Sequence, residues 1–344
     1  MKKEINALRK KILYSLTKHI GTSIHKNDLS ALQASGKPIR ILINRPNSRL
    51  GNLLMITPLL QEIEDVFPQA KVDLFVRGGV ASILYKNYNQ VDHILTLPGK
   101  PFKNLYKYLK SWFKIRKEHY DLVLNTMPDS SSGRLSTFFA RATYRSFGES
   151  DAALEQKYPD YRHMAKYPVY NFRQIIHNEK VKNIPELSLN LSTEEIHRGE
   201  EIYRSLVKNN KPTLFFYTYA TGKKCFTKEW WKQFYNQLEQ TFPEYNLIEV
   251  LPKENISQID FKAASYYSKN LREMSAVLSC GALFLTADCG VMHLASASRI
   301  PTLALFNITP IEVYRPYNVG SKAVNSGEVS VNEILKLMQE MLIE

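Results

Sequence analysis

Residues 286–306, TADCGVMHLASASRIPTLALF, hold the densest set of side chains able to do chemistry. A strand predicted over 282–287 runs into Asp288 and Cys289 at its carboxyl end. Gly290 follows, and a helix begins that carries His293 in its first turn. Glycine lets backbone approach a ligand closely, and the N–H groups at a helix start suit phosphate. The same residues admit a structural reading, in which Asp288 caps the helix and His293 packs against the sheet. A second segment, YATGKKCFTKEWW at 219–231, follows another predicted strand. It sets Thr221, Gly222, Lys223 and Lys224 before a helix starting near Thr227. The G-x-x-x-x-G-K spacing of a phosphate-binding loop is absent, yet hydroxyl, N–H and ammonium groups are there for a diphosphate. In the third, RLGNLLMITP at 49–58, a turn containing Gly51-Asn52 opens an amphipathic helix, and Asn52 is expected to cap it.

Each of these turns needs a strand to deliver it. Short apolar runs at 39–44, 72–76, 91–97 and 121–126 alternate with helical periodicity at 53–67, 79–88, 101–118 and 131–142. The rhythm returns with runs at 213–218, 246–251, 282–287 and 302–306, separated by helical stretches at 228–240, 270–280 and 290–298. Such alternation predicts parallel βαβ units with helices on both sheet faces. The expected fold is α/β, with two tandem doubly wound Rossmann-like domains facing a cleft at the carboxyl ends of their strands. Residues 1–36 read as a basic helical extension, 37–185 as the first domain and 186–344 as the second. Between about 150 and 192 neither periodicity persists, and LSTEE at 191–195 places Ser192 as a helix N-cap.

Bulk properties narrow the function. A chain of 344 residues suits two domains, and no apolar run reaches the roughly 18 residues a membrane span needs. The N-terminal segment has scattered charges and no small-residue cleavage site, so it is not expected to be a secretory signal. Cys225, Cys280 and Cys289 form no C-x-x-C pair and read as reduced thiols. The net charge of +13 calls for an anionic partner: nucleic acid, an acidic membrane surface, or a phosphorylated or acidic-sugar substrate. Recognised nucleic-acid motifs are missing, so no nucleic acid is expected. Lysines alternate with aromatic and aliphatic residues at helical spacing over 100–117 and again near the N-terminus. A basic amphipathic helix is either a solvated face or a membrane-surface element.

Taken together, RLGNLLMITPLLQEIEDVFPQAKVDLFV, KKCFTKEWW and DCGVMHLASASRIPTLALFNITP closely resemble glycosyltransferase family nine, the heptosyltransferases of lipopolysaccharide core assembly. The resemblance runs from about residue 38 to 320. Its most specific part matches a pattern close to D-T-G-x-x-H-L-A-A followed by P-x-x-A-L-F-G-x-T. It implies a GT-B fold and an inverting, metal-independent transfer of a heptose-like sugar. The donor would be a nucleotide sugar such as ADP-heptose, with no cofactor and no metal site, in keeping with the lack of a D-x-D motif. Donor contacts would come from Thr221, Gly222, Lys224, Asp288, Cys289, Gly290 and His293. Arg49, Gly51 and Arg134 would lie on the side of an anionic, lipid-linked glycan acceptor. The expected location is cytoplasmic, peripheral on the inner face of the inner membrane.

Two departures stand out. Cys289 replaces the family's threonine, and Asn52 replaces the aspartate taken as general base. An amide cannot accept a proton as a carboxylate does. Asp129, after the strand at 121–126, is the substitute candidate; the acceptor's own phosphate or carboxylate is another. The alternative is a non-catalytic member that binds a nucleotide sugar or glycan.

Overall fold

The computed structural model describes residues 36–98, 105–127, 130–177 and 183–343, with Ser15, Thr17 and 19–21. Asp129 and most of the N-terminal basic segment lie outside these residues. The chain divides into two units, residues 1–48 with 58–185 and residues 49–57 with 186–344. A single division at 185/186 therefore does not describe it, because 49–57 belongs with the second unit.

In the first unit, β1 (Arg40–Arg45), β2 (Lys71–Arg77), β3 (Val91–Leu97), β4 (His119–Asn125) and β5 (Arg141–Ser146) form a parallel sheet in the order β3-β2-β1-β4-β5. The central strands are buried almost throughout, so they read as continuous apolar runs. β5 is an edge strand of sequence RATYRS, whose polar character hides it from hydropathy.

The helix expected over 53–67 is two helices, α1 (Leu50–Leu54) and α2 (Thr57–Val66). Pro58 has no N–H to give the carbonyl of Leu54, four residues back. The Thr57 hydroxyl donates to that carbonyl instead, at 2.8 Å. Thr57 also accepts from the Ser188 N–H at 3.1 Å, within the second unit. Next come α3 (Ala81–Leu84), much shorter than the 79–88 expected, α4 (Leu105–Lys114) and α5 (Ser131–Phe139). The stretch after 150, where no periodicity shows, contains α6 (Ala152–Lys157) and α7 (Tyr167–Ile175). Aromatic packing among Tyr161, Tyr167 and Tyr170 fixes it, as does a buried two-pronged ion pair from Arg173 to Glu62 on α2.

The second unit opens with α8 (Thr193–Leu206), whose N-cap Ser192 and Glu195 form the capping box that LSTEE predicts. A six-stranded parallel sheet follows: β6 (Thr213–Tyr217), β7 (Asn246–Val250), β8 (Ala264–Tyr266), β9 (Leu283–Ala287), β10 (Thr302–Phe306) and β11 (Lys322–Asn325). Its order is β11-β10-β9-β6-β7-β8. Numbered within the unit, this is the 3-2-1-4-5-6 order of dinucleotide-binding sheets, read from the β8 edge. The helices α9 (Lys228–Thr241), α10 (Leu271–Leu278), α11 (Gly290–Ala297), α12 (Ile311–Tyr314) and α13 (Val331–Ile343) complete the unit. Trp231, Phe234 and Leu238 of α9 meet Ile334 and Met338 of α13 in an apolar cluster. Arg272, buried on α10, grips both oxygens of Glu195 at 2.6 Å and donates to the carbonyls of Leu189 and Asn190. The chain's entry to the unit is thereby fixed.

Candidate active site

In an open α/β sheet, ligands bind beyond the carboxyl ends of the strands where the strand order reverses. In the second unit that point lies between β6 and β9. Both donor-side motifs issue from those two strands: 218–224 from β6, and 288–293 from β9.

The two loops meet through a charge pair. Lys224, at the end of the 3-10 turn Gly222–Lys224, places Nζ 2.5 Å from Oδ2 of Asp288. The Asp288 side chain is only 6% exposed, so its charge needs partners. A second comes from Thr309, just past β10, whose hydroxyl donates to the same oxygen. Asp288 is thus not a helix cap. The N-cap of α11 is Cys289, whose Sγ lies 3.5 Å from the Thr286 hydroxyl and whose thiol is pushed up by burial. A thiol is a weak acceptor, which leaves the N–H groups of the first turn little competition for an anionic ligand. Thr221 and Gly222 are exposed at the head of the turn, and Gly222 takes a positive φ of 67° that suits glycine.

His293 is buried at 5% exposure, and its ring lies against α1. A Cβ on Gly51 would come within 2.3 Å of the His293 ring, and one on Gly290 within 3.2 Å of Leu50 Cβ. Two glycines let α1 lie against the start of α11. This packing puts Arg49, Gly51 and Asn52 in the unit that carries Lys224 and Asp288. Asn52 is the third residue of α1, and the N-cap is Arg49, which makes no side-chain cap bond. The capping role expected for Asn52 is corrected accordingly, and Gly51 has a packing role.

Arg134 also differs from expectation. It is 6% exposed, and its guanidinium donates to the carbonyls of Thr17, Ile20 and Gly21 while lying over the Phe147 ring. Its Nε and Nη2 are thereby committed to Thr17, Ile20 and Gly21. Asp129 lies outside the described residues; the described chain before it leaves β4 through a fixed residue. Thr126 bonds Asn44 through both N–H and hydroxyl, and buried Arg45 donates to the Thr126 carbonyl at 2.8 Å.

Several side chains at these strand ends had no sequence signal beyond a polar residue after an apolar run. Thr309 is one. Asn307 is another, donating to the Lys223 carbonyl at 3.2 Å. Glu249, fully buried on β7, accepts from the hydroxyls of Thr218 and Ser257, both at 2.6 Å, and burial holds its carboxyl above the usual range. It ties the start of the lysine loop to residues 257–261. Thr309 and Asn307 also line a cavity of about 310 Å³ with Glu312 and Asn325. Among the described residues one trio could hold a metal ion: Asp73, Asp92 and His93. It lies at the amino ends of β2 and β3, away from the ligand-binding strand ends, and Arg40 bonds all three.

Two doubly wound parallel sheets, one with a lysine–aspartate pair and a helix start at its switch point, are the architecture of the GT-B class. Residues 108–338 match the family described as Glycosyltransferase family 9 (heptosyltransferase), more than half of the chain, and the protein belongs to that family. Lipopolysaccharide heptosyltransferase 1 of Campylobacter coli is 22% identical, covering 86% of this chain and 96% of its own. A family 9 glycosyltransferase from Veillonella parvula superposes with a TM-score of 0.70 at 15% identity, over 89% of this chain and 97% of that one. The Escherichia coli ADP-heptose lipopolysaccharide heptosyltransferase II does so with a TM-score of 0.66 at 14% identity, over 89% and 99%.

The contact of α1 with α11 is directly testable. Gly51→Ala should destabilise by about 1–3 kcal/mol, as overpacking does. Combined with His293→Ala, which removes the ring it strikes, it should cost less than the sum of the two single changes. Denaturant unfolding of the four proteins would measure a coupling of about 0.5 kcal/mol or more; strict additivity would mean that the two residues do not touch.

Proposed function

We propose that the protein transfers a heptose-like sugar from an ADP-linked donor to the lipopolysaccharide core or a related anionic envelope glycan, with inversion and without a metal. The observation that carries this reading is the Lys224–Asp288 pair between β6 and β9, at the start of α11. The ammonium and the helix N–H groups stabilise the charge that develops on the departing diphosphate. That is the service a metal would otherwise supply. Lys224 and Thr309 already share one Asp288 oxygen, which supports a reading in which that carboxylate is answered by protein donors. The names of the Campylobacter coli and Escherichia coli relatives support the heptose, the ADP and the lipopolysaccharide acceptor. A net charge of +13 favours a phosphorylated or acidic acceptor.

The acceptor hydroxyl must lose its proton as it attacks, and Asn52 cannot take it. In this reading Asn52 serves as a hydrogen-bonding group beside the donor loops, and Asp129 is the base. No helix among the described residues is long and apolar enough to cross a membrane. Attachment to the inner face of the membrane would be peripheral, and α4 supports it. Tyr106 and Phe113 stand 77% and 66% exposed among Lys110, Lys114, Arg116 and Lys117, while Trp112 packs inward on Phe75 and Phe139.

Binding of ADP and adenosine, followed by calorimetry, tests the donor site. Lys224→Ala should weaken ADP by tenfold to a hundredfold, the worth of a charge-assisted hydrogen bond, and leave adenosine unchanged; equal loss for both would remove Lys224 from the diphosphate. In a transfer assay with envelope glycan, Asp129→Asn should abolish turnover with ADP affinity within about twofold, while Asn52→Asp changes the rate little. A rise of about a hundredfold or more in Asn52→Asp, the scale of general-base catalysis, would mean instead that the base has been lost and not moved. For the membrane, Tyr106→Ser with Phe113→Ser should reduce sedimentation with acidic vesicles, and added salt should reduce it further. Unaltered sedimentation would take α4 off the membrane surface.

A further inference from the structure

The loop after β10 is tied to the lysine turn at two points. Asn307 donates to the carbonyl of Lys223, and Thr309 donates to the Asp288 oxygen that also accepts from Lys224. The pattern P-x-x-A-L-F-G-x-T has glycine at the place of Asn307, so the first tie is a side-chain contact this chain adds. One carboxylate oxygen therefore has two donors of different kinds. The ammonium sits on a flexible stem with its side chain 31% exposed, whereas the hydroxyl is fixed to a loop.

An arriving diphosphate draws Lys224 toward itself. A buried carboxylate that loses its cation and finds no other donor is strongly disfavoured. With the Thr309 hydroxyl already in place, Asp288 keeps a donor when Lys224 leaves. We propose that Thr309 is a positioning residue that holds the Asp288 carboxylate and so lowers the cost of transferring Lys224 to the donor's diphosphate. The proposal rests on the reading of Lys224 as the diphosphate ligand. Its direction is specific. Without the hydroxyl, Asp288 depends on Lys224 alone and holds it more firmly, so Lys224 is less available both to phosphate and to any other reagent.

The test compares the parent with Thr309→Val, which keeps the shape and loses the hydroxyl, Thr309→Ala, and Thr309→Ser, which keeps the hydroxyl. Trace acetylation of the ligand-free proteins, read by peptide mass spectrometry as Lys224 against the exposed Lys223, reports how firmly the ammonium is held. Titration with ADP and with adenosine reports its release. Thr309→Val and Thr309→Ala should slow acetylation of Lys224 severalfold and weaken ADP about tenfold, the scale of one hydrogen bond to a charged group. Adenosine affinity should stay unchanged, and Thr309→Ser should match the parent. Unchanged or faster acetylation in both hydroxyl-free variants would overturn the proposal, as would equal loss of ADP and adenosine binding. If the parent itself binds ADP no better than adenosine, the diphosphate reading of Lys224 fails, while the acetylation arm still judges whether Thr309 governs the pair.

Discussion

A charge buried at a strand end dictates the arrangement of the second unit's ligand site. Asp288 follows a fully buried strand and stays almost shut off from water, so its carboxylate must be answered by donors from elsewhere in the chain. The answers come from Lys224 after β6 and Thr309 after β10. Three loops that leave three adjacent strands are thereby held at one atom. Around it the remaining features fall into place: an N-cap with only a thiol to offer, a 3-10 turn that ends on the lysine, and Asn307 bracing that turn from the far side.

The same economy is visible where α1 meets α11. Glycine at 51 and at 290 removes the side chains that would hold the helices apart, and the His293 ring fills the space above Gly51. His293, a candidate ligand by its place in the sequence, is therefore engaged in packing whatever else it contacts. In the first unit, Arg134 and Arg45 show a related pattern, with buried guanidinium groups that donate to backbone carbonyls. Buried arginines beside strand ends are part of the frame here.

How far the sequence disclosed this depended on range. Strands such as β1, β2, β6, β9 and β10 are legible because a parallel sheet covered on both faces demands unbroken apolar runs. The edges β5, β8 and β11, with sequences RATYRS, ASY and KAVN, lack that demand and were not seen. The capping box at Ser192 is a local pattern and was legible; the start of α1 was not, since Arg49 offers no cap signal. Lys224 and Asp288 could be nominated one by one, each as a polar residue after a strand. Their pairing across 64 residues, and the share Thr309 takes in it, arise from the order of strands in the sheet and from no local spacing.

The excursion of residues 49–57 has a consequence for how such a protein can change over time. Each unit is discontinuous, since the chain leaves the first at Ser48, returns at Pro58 and departs again after Pro185. A contiguous fragment beginning at Glu186 would lack α1 and bare the side of α11 that Gly51 covers, and the complementary fragment would carry α1 without its partner. A single crossover after Pro185 between relatives would thus take α1 from one parent and α11 from the other, and the two halves fit where glycine still meets histidine.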